Sequence, residues 1–160
     1  MLQASVCERE RGHVQLAALD RRPSCAEIEA AHEELLKAIA EMARVTQPDS
    51  IDLQAYTAAR WRVSKANRRR RDLWDKVYNH LRITVSGKDA EVLKRLANAN
   101  VELRSASAAH IGQWSTEAVA ADWESYCQAS RMIRWSIMSL VRHERRDLLP
   151  MLKRPAASRS

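Results

Sequence analysis

The chain contains very few residues that interrupt helices, and this scarcity constrains its fold more than any other sequence feature. Its 160 residues include 3 Gly and 4 Pro. No proline lies between Pro48 and Pro150, and only Gly87 and Gly112 occur in that interval. A β-sandwich or barrel needs a turn about every 8–12 residues, together with residues that can form it. The sequence therefore excludes an all-β fold and predicts long helices.

Composition and charge narrow the class further. The hydrophobic fraction of 46% can form a packed core, which excludes wholesale disorder. The longest charge-free run in the middle, residues 105–116, is too short to span a bilayer, and residues 1–23 contain no apolar block typical of a secretory signal. Cys7, Cys25 and Cys127 form no Cys-x-x-Cys pair, a pattern that favours reduced thiols. We expect a soluble cytoplasmic helical protein that does not enter a membrane.

Hydrophobic periodicity divides the chain into a loose N-terminal arm (residues 1–22), a helical domain (residues 23–152) and a polar C-terminal tail (residues 153–160). Four helices are predicted to begin near residues 24, 49, 88 and 115 and to end before Pro48, at Gly87, at Gly112 and before Pro150. Short connections between long helices favour antiparallel neighbours. The prediction is an all-α, up-down-up-down antiparallel four-helix bundle.

The first of these helices has a sequence signature for its start. Ser24 and Glu27 have the spacing of a capping box, in which each side chain accepts a hydrogen bond from the other residue's backbone amide. Apolar residues then follow at intervals of three and four until the helix stops before Pro48. At the start of the fourth predicted helix, Ser115 is a candidate N-cap.

Histidines are the first candidates for chemistry, because each predicted helix carries one. At about 1.5 Å per residue, His32, His80 and His143 fall within about 12 Å of one end of the bundle, whereas His110 lies near the other end. Asp147 follows His143 by one turn on the same face. Three imidazoles and a carboxylate could bind iron or another transition metal. The alternative is that these histidines are core or rim residues, each held by a hydrogen bond.

Three segments, in the same order along the chain, resemble the hemerythrin-like (HHE cation-binding) four-helix bundles. They are residues 31–36, residues 59–66, and the stretch from Ala121-Asp122-Trp123 to the His143-Glu144 and Leu148-Leu149-Pro150 ending. Together they place the resemblance over residues 24–152. It implies a bundle with a non-haem di-iron site, used in that family for oxygen or nitric oxide binding, iron sensing or oxidative-stress responses.

The second helix departs from this family pattern. The resemblance implies a His-x-x-x-Glu motif there, whereas residues 67–74 contain four consecutive arginines and no histidine. Only His32, His143 and Asp147 map onto the implied ligands, with His80 as a displaced substitute. The expectation is a degenerate or absent di-iron site, with no cofactor assigned with certainty.

The four arginines, residues 68–71, sweep about 300° of the helical wheel, so they cannot all face solvent. Arg70 falls on the apolar stripe of the second helix. An unpaired guanidinium would be costly inside a bundle. We therefore predict that Arg70 pairs with a carboxylate at a similar height, Glu102 or Glu41, in the space that metal ligands would otherwise occupy.

The outward basic residues of the second helix are candidates for a partner surface. They are Arg60, Arg68, Arg69 and Arg71, supported by Arg62 and Lys65. Such a run could contact phosphates or an acidic protein. Asp72 and Asp75 interrupt it and no nucleic-acid reader module is visible, so nucleic acid is the less favoured partner. The alternative is an ordinary solvated helix face.

Aromatic residues offer a further surface. Trp74, Trp123 and Tyr126 fit core positions, whereas Trp61, Trp114 and Trp135 are less clearly directed inward and could mark a protein-partner or homodimer surface. Because the chain has no Phe, core packing by Trp is the favoured interpretation.

The sequence contains neither a Gly-rich phosphate loop nor a nucleophile motif, so we do not expect an enzyme. The predicted function is a hemerythrin-like bundle that binds or senses, with a degenerate or absent di-iron site. The alternative is a metal-free helical module that binds a protein or nucleic-acid partner through its basic second helix.

Overall fold

The computed structural model describes residues 22–47, 49 and 51–154. Within these residues all regular secondary structure is helical and no strand occurs, which confirms the all-α class. The predicted N-terminal arm lies outside the described residues except for Arg22, and so does the predicted tail beyond Arg154.

Helical segments follow one another with short connections. They are α1 (Cys25–Val45), α2 (Leu53–Leu81), α3 (Gly87–Gln113), α4 (Thr116–Ala121), α5 (Trp123–His143), a π-helical segment (Glu144–Leu148) and α6 (Leu149–Lys153). In this part of the chain no helix combines the length and the apolar character needed to cross a membrane.

Helix α1 begins as its sequence predicts. The Ser24 hydroxyl accepts from the Glu27 amide at 3.2 Å, and the Glu27 carboxylate accepts from the Ser24 amide at 2.7 Å. Two amides that the helix itself cannot pair are thereby satisfied. The predicted apolar stripe is buried along the whole helix, at Ile28, Ala31, Leu35, Ile39 and Met42.

The fourth predicted helix is interrupted, so the expectation of one continuous helix is wrong. Ser115 caps α4 as predicted, accepting from the Ala118 amide at 3.2 Å. Seven residues after Ser115, Asp122 adopts a non-helical backbone (φ −142°, ψ 73°) and accepts from the Ser125 amide at 3.1 Å, which starts α5. A short acidic side chain competes in this way with helical backbone bonding, since it can satisfy the amides of a new first turn.

The predicted stop at Pro150 is also wrong. Pro150 lies in the first turn of α6, which continues directly from the π-helical segment, so the proline does not end the helical region. The π-helical segment precedes it, with hydrogen bonds that span one more residue than in an α-helix. This segment carries the buried Glu144.

Three clusters of buried apolar side chains succeed one another along the helices. Helix α1 packs mainly along α2, and α3 packs mainly along α5. The clusters are numbered in the order in which α1 meets them. The first cluster includes Ile28, Leu81, Leu96 and Leu148, the second includes Leu35, Ala66, Leu103 and Ile137, and the third includes Met42, Tyr56, Trp114 and Tyr126. Between the first two clusters lies a group of polar residues.

Candidate functional site

Four polar side chains from four separate segments are buried together at the centre of the protein. Their exposed fractions run from 0% to 3%. They are His32 of α1, Arg70 of α2, Asn100 of α3 and Glu144 of the π-helical segment. Polar groups at this depth cost free energy unless each finds a hydrogen-bond partner, so their contacts decide what the site can do.

These four side chains form a hydrogen-bonded network, here called the central network, in which Glu144 is the main acceptor. Its Oε2 lies 2.8 Å from His32 Nε2, and its Oε1 accepts from Arg70 Nη1 at 2.5 Å. The same Oε1 accepts from Asn100 Nδ2 at 3.1 Å. Both carboxylate oxygens are therefore occupied by protein donors.

The remaining donors of the network are also directed to partners. Arg70 Nη2 donates to Asn100 Oδ1 at 3.0 Å, and Arg70 Nε donates to Asn67 Oδ1 at 3.3 Å. Asn100 Nδ2 donates in addition to the Leu96 carbonyl at 3.0 Å. Among the side-chain nitrogen and oxygen atoms of these four residues, His32 Nδ1 is the one that has no hydrogen-bond partner in the described part of the chain. The guanidinium, the amide and the carboxylate thus close a ring of hydrogen bonds.

This environment keeps Glu144 ionised. Burial by itself raises the pKa of a carboxyl, but the His32 hydrogen bond and the Arg70 charge, aided by Asn100, outweigh it, so the pKa of Glu144 lies below its ordinary value. As an ionised carboxylate only accepts hydrogen bonds, the 2.8 Å contact is donated by His32 Nε2.

The low pKa of Glu144 predicts acid sensitivity. A carboxyl whose pKa is lower in the folded than in the unfolded chain stabilises the folded protein at pH values above the unfolded pKa, which is about 4.3. This stabilisation is lost as the pH falls through the folded pKa. Urea unfolding at pH 7, 4.5 and 3 should show a smaller loss of stability in Glu144→Gln than in the wild type. Glu34→Gln, at a half-exposed pair, serves as control and should follow the wild type. Parallel pH curves for wild type and Glu144→Gln would contradict the assignment.

The predicted inward position of Arg70 is confirmed, but its predicted pairing with Glu102 is wrong. Arg70 pairs with Glu144, and Glu102 is exposed. Glu102 follows Asn100 by two residues, which is about 200° around a helix, so the rotation that buries Asn100 turns Glu102 to solvent. The other candidate, Glu41, pairs with Arg62 at the surface.

The predicted metal ligands do not assemble. His32 is held by Glu144, while the half-buried His80 has its Nε2 3.5 Å from Arg22 Nη1. Asp147 accepts two hydrogen bonds of 2.7 Å from Arg146. Within residues 22–47, 49 and 51–154, no group of three or more His, Cys, Asp or Glu is placed to hold a metal ion. The predicted convergence of His32, His80, His143 and Asp147 is therefore wrong, since similar heights do not bring side chains to one face.

The central residues also do not fit the di-iron site that the hemerythrin-like resemblance implies. One carboxylate and one imidazole are present, and a guanidinium cation lies 2.5 Å from that carboxylate. A metal cation there would meet the Arg70 charge, and both Glu144 oxygens already accept hydrogen bonds. The cavity beside the network measures only about 10 Å³.

The basic residues predicted to bind a partner differ in their surroundings. Arg69 pairs with Glu34 at 2.5 Å, and Arg60 donates to the Tyr56 hydroxyl at 2.7 Å and to the Trp114 carbonyl at 2.9 Å. Within the part of the chain that the structure describes, Arg68 and Arg71 have no carboxylate partner. Together with Lys65, which also has no carboxylate partner among the described residues, they are available cations of the predicted surface.

A cleft of about 480 Å³ opens between α2, α3 and α5. No described Asp or Glu lines it. Its lining combines the apolar side chains of Trp61, Ile111, Ile133 and Ile137 with the basic side chains of Arg60, Lys65, Arg68, Arg71 and Arg134. An apolar wall with a few convergent charges is typical of a small-molecule site.

Arg134 is the deepest cation of this cleft, with an exposed fraction of 7%. Its Nη1 donates to the hydroxyls of Thr46 and Ser130, both at 2.7 Å. No described carboxylate pairs with it, and burial lowers the pKa of Arg134 below its ordinary value. Sequence reasoning missed this residue, although it continues the buried stripe of Cys127, Ser130 and Ile137 just as Arg70 continues that of α2.

The aromatic predictions are confirmed for Trp74 and Tyr126, which are buried, while Trp123 is half-buried. Trp114 is buried as well. Trp61 and Trp135 are exposed, so the favoured interpretation of core packing is wrong for these two residues. Trp61 lies at the rim of the cleft.

Compared with protein-family models, with curated proteins and with solved structures, the chain matches none of them. The hemerythrin-like resemblance therefore stays a prediction carried by the three sequence segments.

Proposed function

We propose that this chain is a hemerythrin-like helical bundle that binds or senses an acidic partner in the cytoplasm, without metal and without catalysis. The observation that carries the proposal is the buried ion pair between Arg70 and Glu144 at 2.5 Å. In this pair the guanidinium of Arg70 places a positive charge where the family resemblance implies metal ligands. We therefore place binding at the surface, where some basic residues have no carboxylate partner among the described residues.

The order of the core clusters supports an up-down-up-down arrangement. Ile28 at the start of α1 shares a cluster with Leu81 at the end of α2, and Met42 near the end of α1 shares one with Tyr56 near the start of α2. Leu96, Leu103 and Trp114 lie in the first, second and third clusters, whereas Tyr126, Ile137 and Leu148 lie in the third, second and first. Neighbours in chain order therefore run antiparallel, the arrangement expected for short connections.

An acidic partner is favoured by the charge of α2. Arg68 and Arg71 lack carboxylate partners among the described residues, and the chain carries a formal charge of +7. Unpaired surface cations attract acidic partners in a manner that salt weakens. Cys25 and Cys127 are both free thiols, in keeping with a reducing compartment.

Elemental analysis tests the metal-free part of the proposal. We expect purified protein to contain far less than one transition-metal ion per chain, and its thermal unfolding midpoint to be unchanged by a chelator. Stoichiometric iron, with a lower midpoint after its removal, would contradict the proposal.

Binding to polyglutamate tests the partner. The double charge reversal Arg68→Glu/Arg71→Glu should weaken binding about tenfold or more, equivalent to about 1.4 kcal/mol, and binding should weaken with salt. Arg82→Glu/Lys88→Glu, at two exposed basic residues beside the far end of α2, changes the charge by the same amount and should have a smaller effect. If a DNA duplex, and not polyglutamate, shows this charge dependence, the partner is a nucleic acid and the acidic-protein proposal fails.

A further inference from the structure

The cleft between α2, α3 and α5 contains a charge that the described protein does not neutralise. Arg134 is buried to more than nine-tenths, yet only hydroxyl oxygens accept from it, through Nη1. Taking a guanidinium out of water costs free energy that a hydroxyl compensates less well than an anion does. Arg134 is therefore a cation at the cleft that has no anionic partner among the described residues.

The surroundings strengthen this positive potential. Arg60, Arg68 and Arg71 line the same cleft, and no described carboxylate does. His110 lines it as well, and burial together with the charges of Arg60 and Arg134 holds the pKa of His110 below its ordinary value. The phenol of Tyr126, which lies against His110, has a raised pKa because of its burial and is neutral.

The rest of the cleft is apolar and large enough for a small molecule. Ile133 and Ile137 of α5 face it from one side, and Trp61 and Ile111 contribute to it from α2 and α3. A volume of about 480 Å³ lies within the usual range of about 300–1,000 Å³ for ligand pockets.

We propose that this cleft binds a small organic carboxylate with an apolar ring or chain, the carboxylate pairing with Arg134 and the apolar body lying against Ile133, Ile137 and Trp61. Thr46 and Ser130 hold Nη1, which leaves Nε and Nη2 as the pair of donors that a carboxylate engages side by side. The inference rests on the proposed binding role and adds a ligand class and a site to it.

Calorimetric titration of the full chain with 1-naphthoate tests the proposal, with 1-naphthamide as an uncharged ligand of nearly the same shape. We expect naphthoate to bind at least about tenfold more tightly than the amide, a ratio typical of a charge-assisted contact. Arg134→Met should abolish this preference. Arg131→Met, an exposed arginine on the same helix that does not line the cleft, should retain it.

A second pair of variants keeps the test valid if Arg134→Met does not fold. Ile111 is 55% exposed and lines the cleft, so Ile111→Glu should fold and should weaken naphthoate binding by placing a competing carboxylate there. Val101 is 66% exposed on the same helix and does not line the cleft, so Val101→Glu should have little effect. Equal affinity for naphthoate and naphthamide, or equal losses in Ile111→Glu and Val101→Glu, would overturn the proposal.

The polyglutamate experiment separates this inference from the proposed function. If wild-type protein binds polyglutamate but shows no preference for naphthoate, the cleft proposal alone fails. If it prefers naphthoate but does not bind polyglutamate, the acidic partner of α2 fails and the cleft site stands.

Discussion

Replacing Arg70 with methionine is expected to lower the free energy of unfolding by about 3–5 kcal/mol. The reason is that Glu144, 1% exposed, would remain buried without the guanidinium that pairs with it at 2.5 Å. The Asn100 carbonyl oxygen would also lose the hydrogen bond it accepts from Arg70. Urea unfolding followed by circular dichroism at 222 nm, a wavelength at which helices give a strong negative signal, measures the loss.

The neighbouring arginine provides the control for this prediction. Arg69 pairs with Glu34 at the same distance, 2.5 Å, but both side chains are at least 40% exposed. Arg69→Met should therefore change stability by about 1 kcal/mol or less. A similar loss in both variants would contradict the role assigned to the buried pair.

A double variant distinguishes a missing partner from a missing interaction. Arg70→Met/Glu144→Leu removes both charges of the pair, so neither of them is left buried without its partner. We expect it to be more stable than Arg70→Met alone, since apolar replacements of a buried pair are often neutral. If the two losses simply add, the two side chains are not energetically coupled.

Tyr56→Ala is expected to cost about 3–5 kcal/mol, as large-to-small changes of buried aromatic residues do. Tyr56 is 1% exposed, and its ring meets those of Tyr126 and Trp123 edge-on, with centroids 5.2 and 5.8 Å apart. Truncation would leave a cavity where α1, α2 and α5 meet. The same urea unfolding experiment gives the size of the loss.

Two further variants divide this effect into its parts. Tyr56→Phe keeps the ring and removes only the hydroxyl that accepts from Arg60 at 2.7 Å, so it should cost about 1 kcal/mol. Trp61→Ala, at an exposed aromatic of the same helix, should change stability by about 0.5 kcal/mol or less. A loss in Tyr56→Ala no larger than that in Trp61→Ala would show that the aromatic cluster does not hold these helices together.

Two arginines on inward helix stripes have different surroundings in this protein. Arg70 is matched by a carboxylate, an amide oxygen and a second amide oxygen on its own helix. Arg134 is matched by two hydroxyls and faces a cleft. The first is a completed ion pair and serves stability. The second lacks an anion among the described residues, and for this reason the ligand proposal is placed there.

Features that depend on neighbours along the chain were predictable from the sequence. The capping box at Ser24 and the cap at Ser115 each involve residues three apart, and both are present in the structure. The burial of Arg70 followed from helical periodicity, because four consecutive positions cannot all face solvent. The break at Asp122 was missed because the apolar period continues across it, although an acidic residue able to cap a helix stands there.

The sequence by itself determined the all-α class, the approximate bounds of the first three helices and the inward position of Arg70, since these depend on local backbone preferences and on a period of 3.6 residues. Only the tertiary structure decided that Arg70 meets Glu144 and not Glu102, that the four predicted metal ligands do not form a metal-binding group, and that Arg134 lines a cleft without an acidic residue in its described lining. Each of these outcomes depends on how the helices rotate and slide against one another. A rotation of half a turn exchanges a buried side chain for an exposed one, and no local pattern fixes it.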